Sequence, residues 1–192
     1  MFCAVVQEDT TLSMIELRDA ESVFALIDSS RPYLRQWLPW VGSSRTVEDT
    51  RSFIAACLSQ HAANQGFQCV IRHRGEVAGV VGFRSVDWAN RRTEIGYWLG
   101  EEYQGCGIMT ACCVALTDFA FREYGLNRVE IHVATSNSKS RAVPERLGFV
   151  LEGVLREAER VNDRFVDGAV YSMLRSEWEA REGLSRKERG AR

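Results

Sequence analysis

A glycine-bearing turn between a predicted strand and a long predicted helix constrains this chain more than any other stretch of its sequence. Residues 93–100 have the pattern of a strand, residues 109–124 form an apolar helical run, and Gly105 and Gly107 lie between them. Glycine can adopt the positive φ angles of so tight a connection and lets a ligand approach the backbone closely. Because free N–H groups and the positive end of the dipole lie at a helix start, this turn favours a bound phosphate or pyrophosphate.

The spacing of the glycines excludes a dinucleotide site of the doubly wound type. That fingerprint needs a third glycine where this sequence has Thr110. A Gly-x-Gly turn before a helix is also common as a purely structural connection, so both interpretations stay open at this point. The predicted elements run as one strand, two helices, a three-strand meander, a helix, a strand, a helix and two strands. This order indicates a mixed α/β domain without the regular alternation of a parallel sheet.

Length, charge and hydropathy narrow the class of protein further. The 192 residues suit one domain, and we expect residues 1–178 to form it, with residues 179–192 as a charged, flexible tail. Lys and Arg total 24 against 26 Asp and Glu, which excludes nucleic-acid binding through bulk positive charge. Apolar runs are far shorter than the ~20 residues of a membrane span, and residues 1–9 lack a signal-peptide pattern. We therefore expect a cytoplasmic protein with neither a nucleic-acid nor a membrane partner.

Cysteine and histidine spacing predicts that the protein has no metal site. The 6 cysteines contain no C-x-x-C pair, and the 3 histidines form no cluster in the sequence. Most of the cysteines lie among apolar neighbours, which indicates reduced and mostly buried thiols in a reducing compartment.

A second motif, C-terminal to the glycine turn, makes the pattern specific. Residues 137–149 read Asn-Ser-Lys-Ser-Arg-Ala-Val-Pro-Glu-Arg-Leu-Gly-Phe. Together with the turn Gln104-x-x-Gly107-x-Met109, this motif resembles the GNAT superfamily of acetyl-CoA-dependent N-acetyltransferases. Several phrases resemble in particular its ribosomal-protein-serine (N-terminal) branch, namely residues 37–40, 94–99, 103–110, 140–149 and 151–156.

The resemblance implies a mixed α/β fold with a single GNAT-like domain. Its central sheet would be twisted and mostly antiparallel, with about seven strands, a splayed central pair and about four flanking helices. The splayed pair would be residues 93–100 and 127–135, with the pantetheine arm of acetyl-CoA near Trp98 and Leu99, and with Asn137 holding this arm near the thioester. The pyrophosphate would lie over the turn, whose implied contacts are Gln104, Gly105, Cys106, Gly107, Ile108, Met109 and Thr110.

The turn departs from the family pattern at two positions. Met109 stands where the family has Gly or Ala, although its backbone N–H can still donate, and Cys106 stands where a basic residue is common. The second change removes a charge contact with the phosphates and predicts weaker cofactor binding. Cys106 is also a candidate nucleophile because a helix start can lower a thiol pKa. A ping-pong enzyme needs a neighbouring base, however, and no histidine adjoins Cys106.

Two glutamates are candidates for the general base. Acetyl transfer needs a neutral amine, and because an α-amine has a pKa near ~8, a carboxylate acting through water can suffice. By resemblance, Glu159 matches the base of the ribosomal-protein branch, and Glu94 matches a water-activating glutamate of other GNAT enzymes. In the alternative interpretation Glu159 is an ordinary solvated charge on a strand, and Glu94 pairs structurally with Arg91 or Arg92.

The proton for the leaving thiolate is expected from Ser140. Many GNAT enzymes use a tyrosine at a position where this chain has Pro144, and Ser140 matches the donor of the ribosomal-protein branch. Since Pro144 has no N–H, the helical hydrogen bond to the Ser140 carbonyl cannot form, and Ser140 is less tied to a regular helix. The alternative is that Ser140 is an ordinary serine at a helix start.

For the site that binds the acceptor amine, the sequence offers only aromatic residues in predicted loops. Trp37, Trp40 and Trp88 could line a substrate slot, cover the core or form a dimer contact. The resemblance implies a metal-independent acetyl-CoA-dependent N-acetyltransferase that acts on the N-terminal α-amine of a protein, in a family where homodimers are common. The alternatives are an enzyme that detoxifies a small amine or antibiotic, and a non-catalytic acyl-CoA-binding module.

Overall fold

One open sheet organises the chain in this computed structural model, which describes residues 3–181. Its strands are β1 (Cys3–Gln7), β2 (Thr10–Met14), β3 (Phe67–His73), β4 (Glu76–Asp87), β5 (Arg92–Leu99), β6 (Arg128–Ala134), β7 (Val150–Val161) and β8 (Arg164–Leu174). They lie in the order β1-β2-β3-β4-β5-β6-β8-β7, and only β5 and β6 pair in parallel. The predicted mixed α/β fold with a mostly antiparallel sheet is confirmed, with eight strands instead of about seven.

The additional strand is β1, at one edge of the sheet. It pairs only with β2, and its side chains are exposed or half-buried along its whole length. A short edge strand leaves no alternation of buried and exposed residues in the sequence, so no pattern there predicted it. The first predicted strand, residues 12–18, is also displaced, because β2 spans Thr10–Met14.

Helices cover both faces of the sheet. They are α1 (Ala20–Ser29), α2 (Arg31–Leu34), α3 (Val47–Ala62), α4 (Ile108–Arg122), α5 (Ser138–Leu147) and α6 at residues 175–181. One core cluster includes Leu116 of α4 and Leu147 of α5, and the other includes Val23 of α1 and Ile54 of α3. None of the helices within residues 3–181 is both long and apolar enough to cross a membrane.

Helix α6, which the sequence did not predict, is anchored by Trp178. The indole is buried against Phe121 of α4, with ring centroids 6.4 Å apart, and its Nε1 donates to Asp118 Oδ1 at 3.3 Å. Residues 179–181 continue this helix. The rest of the predicted flexible tail, residues 182–192, lies outside the described residues, and its flexibility stays a prediction.

The predicted splayed pair consists of β5 and β6. These strands pair at only three positions, Arg92 with Arg128, Thr93 with Val129 and Glu94 with Glu130. Beyond Glu94 the edge of β5 is no longer covered by β6, while its other edge stays paired with β4 as far as Leu99. The divergence leaves a V-shaped slot with one open backbone edge, which confirms the predicted splay.

The cysteines are free thiols, and Cys57, Cys69, Cys112 and Cys113 are buried. Burial raises the pKa of Cys57 to about 11 and that of Cys112 to about 12, so both thiols are protonated at neutral pH. These residues behave as small apolar side chains of the core.

Candidate active site

Two cavities meet where β5 and β6 separate. The lower cavity, about 1060 Å³, lies over the start of α4, and the upper cavity, about 640 Å³, lies beside α1 and α3. The residues that line both are Trp37, Leu38, Tyr97, Trp98, Asn137 and Ser140. A reaction between ligands held in the two cavities would therefore take place beside Tyr97 and Ser140.

The start of α4 presents free backbone donors to the lower cavity. Gly107 is the N-cap residue, in the left-handed region with φ 74°, and within residues 3–181 no side chain caps the N–H groups of the first turn. Gly105 also has a positive φ, 77°, and a Cβ placed on it would have no heavy atom within 4 Å. The turn is left-handed and open, and its helix start offers N–H groups that no described side chain caps, so the phosphate-binding role of these glycines stays a prediction.

Two positively charged side chains of α5 lie over the same turn. Lys139 Nζ donates to Gln104 Oε1 at 2.9 Å, and Arg146 Nη1 donates to Thr110 Oγ1 at 2.7 Å. Both side chains line the lower cavity. The sequence motifs did not indicate these two residues, although their seven-residue separation places them on one face of a helix. They supply positive charge that the Cys106 position does not.

The cofactor residues expected from the sequence line the lower cavity, with one exception. Those that line it are Trp98, Leu99, Gln104, Gly105, Gly107, Ile108, Met109, Thr110 and Asn137. Cys106 is exposed outside the lining, and its Sγ lies 3.6 Å from the Gln104 carbonyl oxygen. The other residues of the turn therefore face the lower cavity, whereas the Cys106 thiol faces away from it.

The upper cavity combines aromatic walls with charged side chains. Its aromatic lining includes Trp37, Trp40, Phe53 and Trp98, and the Trp40 and Trp98 ring centroids are 6.0 Å apart. Its acidic and basic lining residues are Asp49, Arg84, His132 and Glu159. Such a cavity suits an acceptor with an apolar body and a polar reacting end.

Trp88 is not part of this cavity. Its Nε1 donates to the Asn64 carbonyl oxygen at 2.6 Å, and its ring lies 5.1 Å from that of Tyr124. Of the three tryptophans that we expected at the substrate slot, the structure brings together Trp37 and Trp40 only.

Glu159 presents a free carboxylate to the upper cavity. It lies on β7 opposite Val166, directly after a bulge that begins at Leu155 and includes Glu157 with φ 50°. Among the described residues, no side chain forms a hydrogen bond or an ion pair with the Glu159 carboxylate. The bulge re-aims the strand, as bulges commonly do beside active sites, and it places Glu159 at the cavity instead of along the sheet face.

Glu94 lies behind the cavity wall, not in it. Its Oε1 accepts from Arg84 Nη1 at 3.3 Å, and its Oε2 lies 3.9 Å from His132 Nδ1. The prediction that Glu94 pairs with Arg91 or Arg92 is wrong, because a register shift between Phe83 and Ser85 sets Arg84 beside Glu94. Arg92 pairs instead with Asp87, at 3.2 Å.

Ser140 is held from two directions at the first turn of α5. Its N–H donates to Asn137 Oδ1 at 3.1 Å, so Asn137 is the N-cap of the helix. Its carbonyl oxygen accepts from the Tyr97 hydroxyl at 3.0 Å, and its Oγ donates to that hydroxyl at 3.2 Å. Pro144 lies inside α5 and has no N–H for this carbonyl. The oxygen that the proline leaves without a helical donor is thus the one that Tyr97 bonds.

Known proteins share both the fold and these sequence patterns. A family described as "Acetyltransferase (GNAT) domain" matches residues 9–150. The putative ribosomal N-acetyltransferase YdaF of Bacillus subtilis (strain 168) is 38% identical over 180 residues, 93% of this chain and 98% of that protein. The ribosomal-protein-serine acetyltransferase of Escherichia coli (strain K12) is 31% identical over 169 residues, 88% of this chain and 94% of that protein.

A solved structure adds a relative that is named for self-immunity. It is the microcin C7 self-immunity acetyltransferase MccE in complex with acetyl-CoA and AMP, 32% identical, with a TM-score of 0.83 over 88% of this chain and 94% of that one. The family match covers most of the chain, and the splayed strands and the glycine turn agree with it. The chain is therefore an N-acetyltransferase and belongs to the GNAT family.

Proposed function

We propose that this enzyme transfers acetyl directly from acetyl-CoA to the N-terminal α-amine of a protein, with a ribosomal protein as the acceptor. The observation that carries the proposal is the meeting of the two cavities at Tyr97 and Ser140, with the Glu159 carboxylate on the upper side, where no described side chain pairs with it. Two relatives named for ribosomal or ribosomal-protein acetylation support the choice of acceptor. A ribosomal acceptor places the enzyme in the cytoplasm.

The lower cavity fits acetyl-CoA. The uncapped N–H groups of α4 suit the pyrophosphate, and Lys139 and Arg146 add positive charge to the same wall. The open edge of β5 near Trp98 and Leu99 offers backbone groups to the pantetheine arm, with Asn137 at the junction. Acetyl-CoA supplies the thioester, the acceptor supplies the amine, and the chain supplies the proposed base and acid.

The upper cavity supplies the base. At neutral pH the α-amine is partly protonated because its pKa is near ~8. Glu159 lines this cavity and bonds to no described side chain, so its carboxylate is free to take the amine proton through a water molecule. Glu94, held by Arg84 and close to His132, orients these two lining residues instead. We therefore assign the base to Glu159.

Ser140 supplies the proton for the leaving group. The amine nitrogen bonds to the carbonyl carbon, the carbon–sulfur bond breaks, and the sulfur keeps that electron pair and takes the Ser140 hydroxyl proton. Glu159 releases its proton to solvent, and Ser140 regains one. One amide and one thiol then replace one amine and one thioester. The position of Ser140 between the cavities supports this role.

A small amine is the second candidate acceptor. The solved relative bound to acetyl-CoA and AMP is a self-immunity enzyme, and the 640 Å³ upper cavity with its aromatic walls would also hold a small molecule. The two acceptors can be separated by comparing three substrates: a lysine-free peptide beginning with serine, the same peptide with a blocked N-terminus and one lysine, and spermidine. We expect a kcat/KM at least about 10-fold higher for the first peptide. Faster turnover of spermidine, or equal turnover of the blocked peptide, would contradict the proposal.

We also propose that two copies associate through β7. This strand ends the sheet order, and its neighbourhood exposes Val150, Leu151, Val154, Leu155 and Phe165. An exposed apolar edge strand is a template for pairing with another chain. Sedimentation equilibrium at micromolar concentration should show a dimer that Leu155→Arg dissociates. A monomeric wild-type protein would contradict this association.

A further inference from the structure

Two hydrogen bonds join Tyr97 to Ser140, and the proposed acid–base mechanism does not use Tyr97. The Tyr97 hydroxyl donates to the Ser140 carbonyl oxygen at 3.0 Å, and the Ser140 Oγ donates to the same hydroxyl at 3.2 Å. One tyrosine on β5 thus bonds both the backbone and the side chain of one serine on α5. Both residues line both cavities.

Pro144 explains why the Tyr97 hydroxyl bonds to the Ser140 carbonyl oxygen. In a regular α-helix the Ser140 carbonyl would accept from the N–H four residues later, and that residue is Pro144. A partly buried carbonyl without a donor is unfavourable, so a replacement donor stabilises the structure. The Tyr97 hydroxyl is that donor, and it comes from the strand that borders the slot.

We propose that Tyr97 is a positioning residue for Ser140, and that it can act this way only because Pro144 leaves the Ser140 carbonyl open. The catalytic part of this inference rests on the proposed function, whereas the structural part does not. In the resting arrangement the Ser140 proton points at Tyr97. When Ser140 turns that proton toward the leaving sulfur, the Tyr97 proton can turn from the carbonyl oxygen to the Oγ, because both acceptors lie within hydrogen-bond distance.

The environment of Tyr97 suits a donor and not an acid. Burial raises the pKa of Tyr97 well above its ordinary value, so the hydroxyl stays protonated throughout the neutral range. A group that holds its proton so firmly orients Ser140 and stabilises charge on its oxygen without transferring the proton. Tyr97 therefore acts through Ser140.

A double-mutant cycle of Tyr97→Phe and Pro144→Ala tests the inference. Tyr97→Phe removes the donor, and Pro144→Ala returns an N–H to the same carbonyl. In the wild-type background we expect Tyr97→Phe to lower kcat roughly 10- to 100-fold with the KM for acetyl-CoA unchanged. In the Pro144→Ala background we expect the loss to shrink by at least about 3-fold.

A second readout needs no acceptor. Tyr97→Phe should lower the melting temperature of the acetyl-CoA-free protein, and Pro144→Ala should reduce that loss for the same reason. Tyr124→Phe is a matched control, because Tyr124 is a partly buried tyrosine of the aromatic cluster at the far end of the sheet and lines neither cavity. Its effects should be independent of Pro144.

The outcomes separate this inference from the proposed function. Unchanged kcat in Tyr97→Phe, or equal losses of kcat and of melting temperature in both backgrounds, would overturn the positioning role. Failure of every α-amine peptide as a substrate would overturn the proposed acceptor, and the melting cycle would still decide whether Tyr97 replaces the N–H that Pro144 lacks.

Discussion

The lower cavity is built around one contiguous segment, residues 104–111, with α5 and the end of β5 beside it, whereas the upper cavity takes its lining from α1, α3, five strands, the start of α5 and the segment around Trp40. The first offers backbone N–H groups at a helix start, supplemented by two cations. The second offers side chains: aromatic rings, Arg84, His132 and the Glu159 carboxylate. Backbone donors bind any ligand with the right phosphates, while side chains can be exchanged without altering the fold. This difference would allow one fold to keep its cofactor site while its acceptor site changes.

The largest expected effect lies in the upper cavity. Glu159→Gln keeps the size of the side chain but removes the carboxylate that we propose as the base, so kcat should fall ~10²–10⁴-fold while the dissociation constant for acetyl-CoA stays the same. Steady-state kinetics and calorimetry measure the two quantities. Glu157→Gln, two residues away on the bulge and outside both cavities, is the control and should keep the wild-type kcat. Wild-type activity in Glu159→Gln would remove this glutamate from the mechanism and direct attention to Glu94.

The next effect belongs to the lower cavity. Gly107→Asp would put an N-cap carboxylate where it bonds the first N–H groups of α4 and repels phosphate, so the dissociation constant for acetyl-CoA should rise about 10- to 100-fold. Gly125→Asp controls for backbone strain, since Gly125 lies beyond the other end of α4 with a similar φ of 62° and open space around it. Calorimetric titration of both variants measures the difference. Equal affinities for the two variants would show that the phosphates bind elsewhere.

A smaller effect distinguishes two equally exposed tryptophans. Trp40 is 38% exposed and Trp88 is 40% exposed, but only Trp40 lines the upper cavity. Trp40→Ala should raise the KM for the acceptor about 3- to 10-fold, since an aromatic contact contributes roughly 0.5–1.5 kcal/mol beyond burial. Trp88→Ala should leave this KM unchanged. A rise in KM for Trp88→Ala, or none for Trp40→Ala, would mean that the acceptor does not occupy the upper cavity.

The smallest effect concerns charge at the lower cavity. Arg146→Met should raise the dissociation constant for acetyl-CoA by up to about 5-fold, because an exposed cation contributes at most ~1 kcal/mol and salt screens it. The same titration at low and high ionic strength should show the effect shrinking as salt rises. Arg164→Met, at the exposed start of β8, should have no effect at either ionic strength. A loss for Arg146→Met that does not respond to salt would indicate a packing role.

The comparison also shows which parts of the site the sequence could predict. The turn at the lower cavity consists of residues that are adjacent in the sequence, so the motif from Gln104 to Thr110 predicted nearly all of it. Of this motif, Cys106 alone falls outside the lining of the cavity. The same holds for α5, whose predicted bounds, residues 138–147, match the structure because Asn137 caps its start and Gly148 ends it. Lys139 and Arg146 were missed because only the packing of α5 against α4 brings them to the turn.

The upper cavity depends on register, which the sequence pattern does not reveal. The shift in β4 between Phe83 and Ser85 sets Arg84 beside Glu94, and no local signal marks such a bulge. Strand β4 also runs to Asp87, beyond the predicted end at residue 84, and Trp88 follows its far end instead of lying in a loop at the slot. Long-range strand pairing determines where Arg84 and Trp88 lie, so residue propensity and periodicity could not predict their positions.

The most direct test is whether the two cavities can be filled at once. We expect Glu159→Gln to bind both substrates but to turn over slowly, so acetyl-CoA can be titrated into it with and without a saturating serine-initiated peptide. We predict one acetyl-CoA site with the same dissociation constant in both titrations, since the two cavities meet at Tyr97 and Ser140 without coinciding. An apparent dissociation constant that rises in proportion to peptide concentration would mean that the two ligands compete for one cavity, and it would contradict direct transfer between two sites.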